Sequence, residues 1–238
     1  MRVSVIIPSL NEAQSIGHVL NELPKHLITE VLVIDSSSTD GTPEIAARMG
    51  ARVVREPRRG YGRACLTGLN QSTAPDIVVF LDADYSDRPA ELPRLLGPIT
   101  EGRADITLGS RLLGPRAPGA LPWHAVLGNR LGAGLIRLFF GQRITDLGPF
   151  RAARADTLRT LALEETTYGW AVEMILKGAL HGFRIVEVPV SYYPRIGKSK
   201  ITGTLAGSMG AAWCILSRIV WYGLRRPRPA SRVASGTD

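Results

Sequence analysis

Short apolar runs that end in polar clusters alternate with helix-length patterns through the first half of the chain. This alternation predicts a parallel sheet with crossover helices. Val3–Ile7 is the first run, followed by a helical stretch over Ser15–Leu23 that Pro24 closes. Val31–Ile34 ends in Asp35, and Thr42–Met49 reads as a helix with Asp40 and Thr42 as caps and Gly50 as its stop. Arg52–Arg55 is a short third strand. Ile77–Leu81 is continuously apolar, as in a central strand buried on both faces, and runs into Asp82-Ala83-Asp84. A helix over Arg88–Leu96, with Asp87 as its N-cap, and a strand over Ile106–Leu108 complete this half.

The rhythm then changes. Leu112–Pro122 is rich in Gly and Pro and predicts a loop. Trp123–Phe140, Trp170–Leu180 and Leu205–Leu224 carry helical patterns. The last has apolar residues at Leu205, Met209, Trp213, Leu216 and Val220, but Ile215 and Trp221 blur its amphipathicity. Asp146–Ala152 reads as a turn plus short strand, Arg184–Val190 as a strand interrupted by Pro189, and Tyr193–Lys200 as a basic loop. The expected organisation is a catalytic domain over 1–204, an apolar helix over 205–224 and a disordered basic tail over 225–238.

Composition narrows the partners. The 238 residues are 45% hydrophobic, enough for one sizeable core, and carry a formal net charge of +8. That balance favours phosphorylated small molecules, nucleic acid or anionic lipid. Cys65 and Cys214 supply neither a disulfide framework nor a metal quartet, which fits a reducing compartment. The N-terminal apolar run ends at Pro8, too short for a signal peptide, so export is not expected. Residues 201–217 are uncharged but contain three glycines before Arg218, short of a good spanning helix.

The candidate chemistry sits at strand ends. In an open parallel sheet, ligands bind outside the carboxyl ends of the strands. Asp82 and Asp84 stand at such an end, spaced to aim two carboxylates at one hard cation that bridges a nucleoside diphosphate. Pro8-Ser9-Leu10-Asn11-Glu12 follows the first strand and Asp35–Thr42 the second, so three strand ends carry polar groups suited to base, ribose and metal. Taken singly, each has a plain structural alternative as a cap or turn. A P-loop, a dinucleotide fingerprint, zinc spacing and a nucleophile elbow are all missing from the sequence.

As a set, VSVIIPSLNE, VLVIDSSSTDGT, FLDADYSDRPAEL, LGSRL, TDLGPFRA and VEVPVSYYPRIGKSK resemble the family 2 glycosyltransferases of the GT-A fold. Within that family the chain is similar to dolichyl-phosphate mannose synthases and polyprenyl-phosphate hexose transferases. The resemblance implies an α/β, Rossmann-like, mostly parallel sheet flanked by helices, with a C-terminal helix. It assigns Pro8, Asn11, Glu12 and Asp35 to the nucleotide pocket, with Asp82, Ala83 and Asp84 at the diphosphate. Asp82 and Asp84 would hold Mg²⁺ or Mn²⁺. Arg111, Arg130, Arg195 and Lys200 match phosphate-binding positions, and Asp84, Arg111 and Asp146 are the catalytic candidates. Ser36, Ser86 and Leu147-Gly148-Pro149 depart from the usual pattern, which bears on base and sugar preference.

The implied reaction is an inverting transfer of a hexose from a donor of GDP-mannose or UDP-glucose type to a polyprenyl phosphate. A phosphate acceptor needs no strong general base, whereas a hydroxyl acceptor would, with Asp146 and Glu173 as acidic candidates. The expected location is cytoplasmic, at the inner face of the cell membrane with peripheral contact. Two enzymatic alternatives stand beside it: a family 2 transferase using a soluble hydroxyl acceptor, and a sugar-1-phosphate nucleotidyltransferase. Nucleic acid is not an expected partner, because the basic residues are dispersed among acidic motifs and aromatics make up only 6% of the chain.

Overall fold

A computed structural model describes residues 1–197 and 205–224. Seven strands form one sheet: β1 (Val3–Ser9), β2 (Glu30–Asp35), β3 (Arg52–Arg55), β4 (Ile77–Phe80), β5 (Ile106–Ser110), β6 (Arg151–Arg154) and β7 (Ile185–Pro189). Their order is β3-β2-β1-β4-β6-β5-β7. All neighbours are parallel except β6, which runs antiparallel to both β4 and β5. Pro189 is tolerated because β7 is an edge strand.

Strand periodicity divides the core in two. Ile6, Ile34, Val78 and Phe80 point to one face, which α3 (Tyr61–Gln71), α5 (Trp123–Phe140), α6 (Ala155–Leu161), α7 (Trp170–Leu180) and α8 (Leu205–Leu224) cover. Val5, Ile7, Val33 and Val79 point to the other, under α1 (Ile16–Glu22), α2 (Thr42–Arg48) and α4 (Leu92–Thr100). Both faces are covered, so the β4 run is apolar without alternation.

Most expected elements are present, and the differences have local causes. The helix over Tyr61–Gln71 was not expected, because Gly60, Gly62 and Gly68 interrupt its pattern. These glycines reflect close packing. A Cβ on Gly62 would lie 2.2 Å from the Glu165 carbonyl oxygen, and one on Gly60 2.4 Å from that of Thr166. The short α6 was also not anticipated. The segment after Asp87 begins as a 3-10 turn over Pro89–Glu91 before α4, and Asp87 makes no capping bond. It is buried, and neither carboxyl oxygen has a hydrogen-bond partner.

The helix α8 docks on the body of the domain. Ile219 is fully buried, the Tyr222 hydroxyl donates to Glu173 Oε1 at 3.3 Å, and Arg218 pairs with Glu165. Among the described residues no helix is long and apolar enough to cross a membrane. The tail expected over 225–238 lies outside the described residues, as do Lys198 and Lys200.

Candidate active site

The strand order reverses between β1 and β4: from β1 the chain builds outward to β2 and β3, then returns to add β4 on the other side. A crevice opens at such a switch point. Here it is a cleft of about 420 Å³ lined by Pro8, Ser9, Glu12, Ser36, Asp82, Ala83, Asp84 and Arg195, with Arg59, Tyr61 and Tyr168 along its other wall. The antiparallel β6 begins at the edge where its neighbours end, which brings the preceding segment, Asp146–Phe150, to the same side of the sheet.

Arg195 ties the lips together. Its Nη2 lies 2.7 Å from Glu12 Oε1 and its Nη1 3.3 Å from Asp84 Oδ2. The other oxygen of Asp84 accepts from the Ser86 amide at 2.9 Å and hydroxyl at 2.6 Å. The Ile196 amide donates to the Asp84 carbonyl and that of Tyr193 to the Ser86 carbonyl, so the segment after β7 is laid across the end of β4. Arg88 is sandwiched between the rings of Tyr85, at 4.2 Å, and Tyr193, at 3.8 Å, and fastens the same segment.

Asp82 differs from Asp84. Its Oδ1 is cut off from solvent and has no hydrogen-bond partner. Burial, and then the charge of Asp84, push its pKa up to about 7 against the pull of Tyr61, Arg111 and Arg195. The Tyr61 hydroxyl is buried beside it, and burial followed by the charge of Asp82 raises its pKa well above the ordinary value. An orphaned carboxylate oxygen at a cleft floor fits a cation. Among the described residues no cluster of three or more metal-ligating side chains forms.

The first two strand ends are stitched together by their own polar groups. Asp35 is buried and accepts from the Ser38 amide at 3.2 Å. Asn11, at φ 51°, accepts from the Thr39 amide and donates its own amide to Ser38 Oγ. The Glu12 amide donates to Thr42 Oγ1 at 2.8 Å. Glu12 therefore reaches the cleft, while Asn11 braces the loop behind it.

Arg111 and Asp146 form a bidentate pair: Nε to Oδ2 is 2.7 Å and Nη2 to Oδ1 is 2.8 Å, with the carboxylate fully buried. Burial acts to raise the pKa of Asp146, but the charge and hydrogen bonds of Arg111 outweigh it and hold the carboxyl below its ordinary range. A carboxylate so committed is a poor proton acceptor. Glu187, which sequence reasoning missed, accepts from the Thr145 and Asp146 amides at 2.8 and 3.0 Å and so braces the turn that carries Asp146. Arg151, fully buried, donates to the carbonyls of Leu147, Gly148 and Ala171. Both residues sit in β-type runs with no sequence signal beyond a charge in an apolar setting.

The remaining candidates lie elsewhere. Arg130 is exposed on α5 and does not line the cleft. Glu173 accepts from the Glu164 and Glu165 amides and pairs with Lys177 at 2.9 Å, which makes it a brace inside the fold.

A family model described as glycosyl transferase family 2 matches residues 4–161. An uncharacterized glycosyltransferase of Mycobacterium tuberculosis is 39% identical over 219 residues, covering 90% of this chain and 98% of that protein. An undecaprenyl-phosphate mannosyltransferase of Micrococcus luteus is 34% identical over 249 residues, covering 94% of this chain and 98% of that protein. Among solved structures, glucosyl-3-phosphoglycerate synthase from M. tuberculosis, in complex with Mn²⁺, uridine-diphosphate-glucose and phosphoglyceric acid, matches with a TM-score of 0.72. It is 27% identical and the match covers 92% of this chain and 80% of that one.

Proposed function

The chain belongs to glycosyl transferase family 2, and from that membership we propose that it moves a hexose from a nucleotide-diphosphate sugar to a polyprenyl phosphate with inversion at the anomeric carbon. The observation that carries the reading is the meeting of Asp82, Asp84, Glu12 and Arg195 in one cleft at the sheet's switch point. Asp82 and Asp84 would hold Mg²⁺ or Mn²⁺, which when bound would supply positive charge for a departing diphosphate. Ser36 and the Pro8–Glu12 segment shape the nucleotide end of the cleft, which Tyr61 and Tyr168 also line, while Asp35 does not line it and braces the turn at Ser38. The solved relative's complex with Mn²⁺ and uridine-diphosphate-glucose supports both the donor class and the cation.

On the acceptor side, Arg195 lines the cleft and presents its cation to a phosphate as well as to Glu12 and Asp84. Arg111 is a positioning partner of Asp146 that keeps its own positive charge near the cleft, since the attraction of Asp146 exceeds the penalty of burial. Arg130 would meet the acceptor's phosphate from outside the cleft, and Lys200, which lies outside the described residues, is assigned to the same phosphate by the resemblance. A phosphate oxygen attacks already deprotonated, so the commitment of Asp146 to Arg111 is no obstacle. The Micrococcus relative, an undecaprenyl-phosphate mannosyltransferase, supports a lipid-linked acceptor. Peripheral contact with the inner face of the cell membrane, through the helix over 205–224, completes the reading: Trp213 and Trp221 on it are exposed.

The phosphoglyceric acid bound in the solved relative favours a second reading, transfer to a soluble acceptor. A screen of nucleotide sugars, with and without a polyprenyl phosphate, separates the two by nucleoside diphosphate release. Release that depends on the polyprenyl phosphate is expected. Release that needs phosphoglycerate and ignores the lipid would replace the first reading by the second.

A further inference from the structure

The outward face of α5 has the wrong composition for water. Trp123, Leu127, Leu131 and Leu138 recur at helical spacing along it and are 77%, 60%, 51% and 75% exposed. The stripe spans sixteen residues, or about 22 Å of helix from its first residue to its last. Buried residues of the same helix, Gly132, Ala133, Ile136 and Phe140, occupy the opposite side, so the helix is apolar all round. Its only ionisable side chains are His124, Arg130 and Arg137, and both arginines are exposed beside the stripe. The neighbouring α8 repeats the pattern: Trp213, Val220, Trp221 and Leu224 are exposed and it carries no carboxylate. Scattered exposed leucines are ordinary, but a contiguous apolar face marks an interaction surface.

The charge pattern decides what covers it. A second copy packed face to face would set Arg130 and Arg137 against the same two arginines, and neither helix offers an acid to compensate. An anionic lipid surface offers what the face lacks: headgroup phosphates for the arginines, acyl chains for the leucines and an interface for the indole of Trp123. We propose that the outward face of α5 seats this protein on an anionic bilayer, with its leucines below the headgroups and Arg130 and Arg137 among them. This extends the membrane contact proposed for 205–224 to a different helix, and it rests on the surface alone, whichever acceptor the enzyme uses.

Flotation of the full chain with phosphatidylcholine vesicles, with and without phosphatidylglycerol, tests it. The wild type should float with the anionic vesicles and stay behind with the neutral ones. The double variant Leu127→Glu/Leu131→Glu should lose at least about tenfold in bound fraction. Its melting temperature should not fall, because both side chains already face out. Arg137→Glu should weaken the preference for phosphatidylglycerol. Calorimetry with Mn²⁺ and UDP tests the proposed reaction separately, and the double variant should match the wild type there. Vesicle binding by the double variant equal to that of the wild type would overturn the proposal. So would a wild-type dimer in sedimentation that the double variant dissolves, since a second copy would then be the occupant.

Discussion

Arg195 lies 183 positions from Glu12 in sequence and touches its carboxylate at 2.7 Å. Its other arm is on Asp84. Arg195 thus serves two of the cleft's carboxylates at once, whereas Asp82 Oδ1 is buried without a hydrogen-bond partner among the described residues. Asp84→Ala should fold and melt like the wild type yet lose about a hundredfold or more in transfer, and Mn²⁺-dependent binding of UDP should vanish in calorimetry. Retained Mn²⁺-dependent binding would move the cation elsewhere. Glu56, at the end of β3, gives a pH prediction. The hydrogen bonds of Arg58 lower its pKa from 4.5 to about 2, against burial. The folded state therefore holds fewer protons than the unfolded chain between those values, and the stabilisation is complete above 4.5 and fades as pH falls toward 2. Arg58 is mostly exposed, so water screens much of the effect. Glu56→Gln should lower the melting temperature by a few degrees at neutral pH and by less in acid. A gap that widens in acid would assign the role to packing. At this scale Asp82 and Asp84 were legible because an apolar run delivers them to a strand end. Arg195 came only through resemblance, and Glu187 and Arg151 gave no signal, because their partners are backbone groups, whose hydrogen bonding leaves no mark in the residue types.

Elements were legible where one periodicity runs uninterrupted. The bounds of α5, α7 and α8 agree with the sequence pattern, and β4 is shorter than expected only by Leu81. The helix α3 was hidden by what makes it useful. Its first turn enters a slot formed by residues 165–170, and only glycine fits at Gly62, where a Cβ would meet the Glu165 oxygen at 2.2 Å and the Trp170 Cβ at 2.7 Å. This slot sets Tyr61 at the cleft wall. Gly62→Ala would improve helix propensity on an open helix. Here the overlap should dominate and destabilise by about 1–3 kcal/mol, read as a lower urea midpoint with unchanged slope. The same variant should weaken UDP binding through displacement of Tyr61. Stabilisation by Gly62→Ala would show that the slot relaxes. The antiparallel β6 was likewise out of reach of periodicity, since strand direction depends on the path of the chain around it rather than on side-chain alternation.

On the proposed membrane seating, the net charge of +8 and the apolar faces of α5 and α8 would act on the same event, the meeting of enzyme and lipid-linked acceptor. Electrostatic attraction to an anionic surface is long-ranged at low salt, with a screening length of about 10 Å at 0.1 M that shrinks to about 3 Å at 1 M. Interactions inside the cleft, such as the short contacts of Arg195, are screened far less. The two kinds of interaction therefore separate by ionic strength. With a long-chain polyprenyl phosphate in anionic vesicles, the transfer rate at limiting enzyme should fall steeply as sodium chloride is raised. With a short-chain polyprenyl phosphate free in solution, the same salt series should change the rate only mildly, because capture no longer requires a charged surface. Neutral vesicles should behave like the soluble case but start from a lower rate. If salt depresses both acceptors equally, the sensitive step lies in the cleft, and the surface charge has no part in delivering the enzyme to its acceptor.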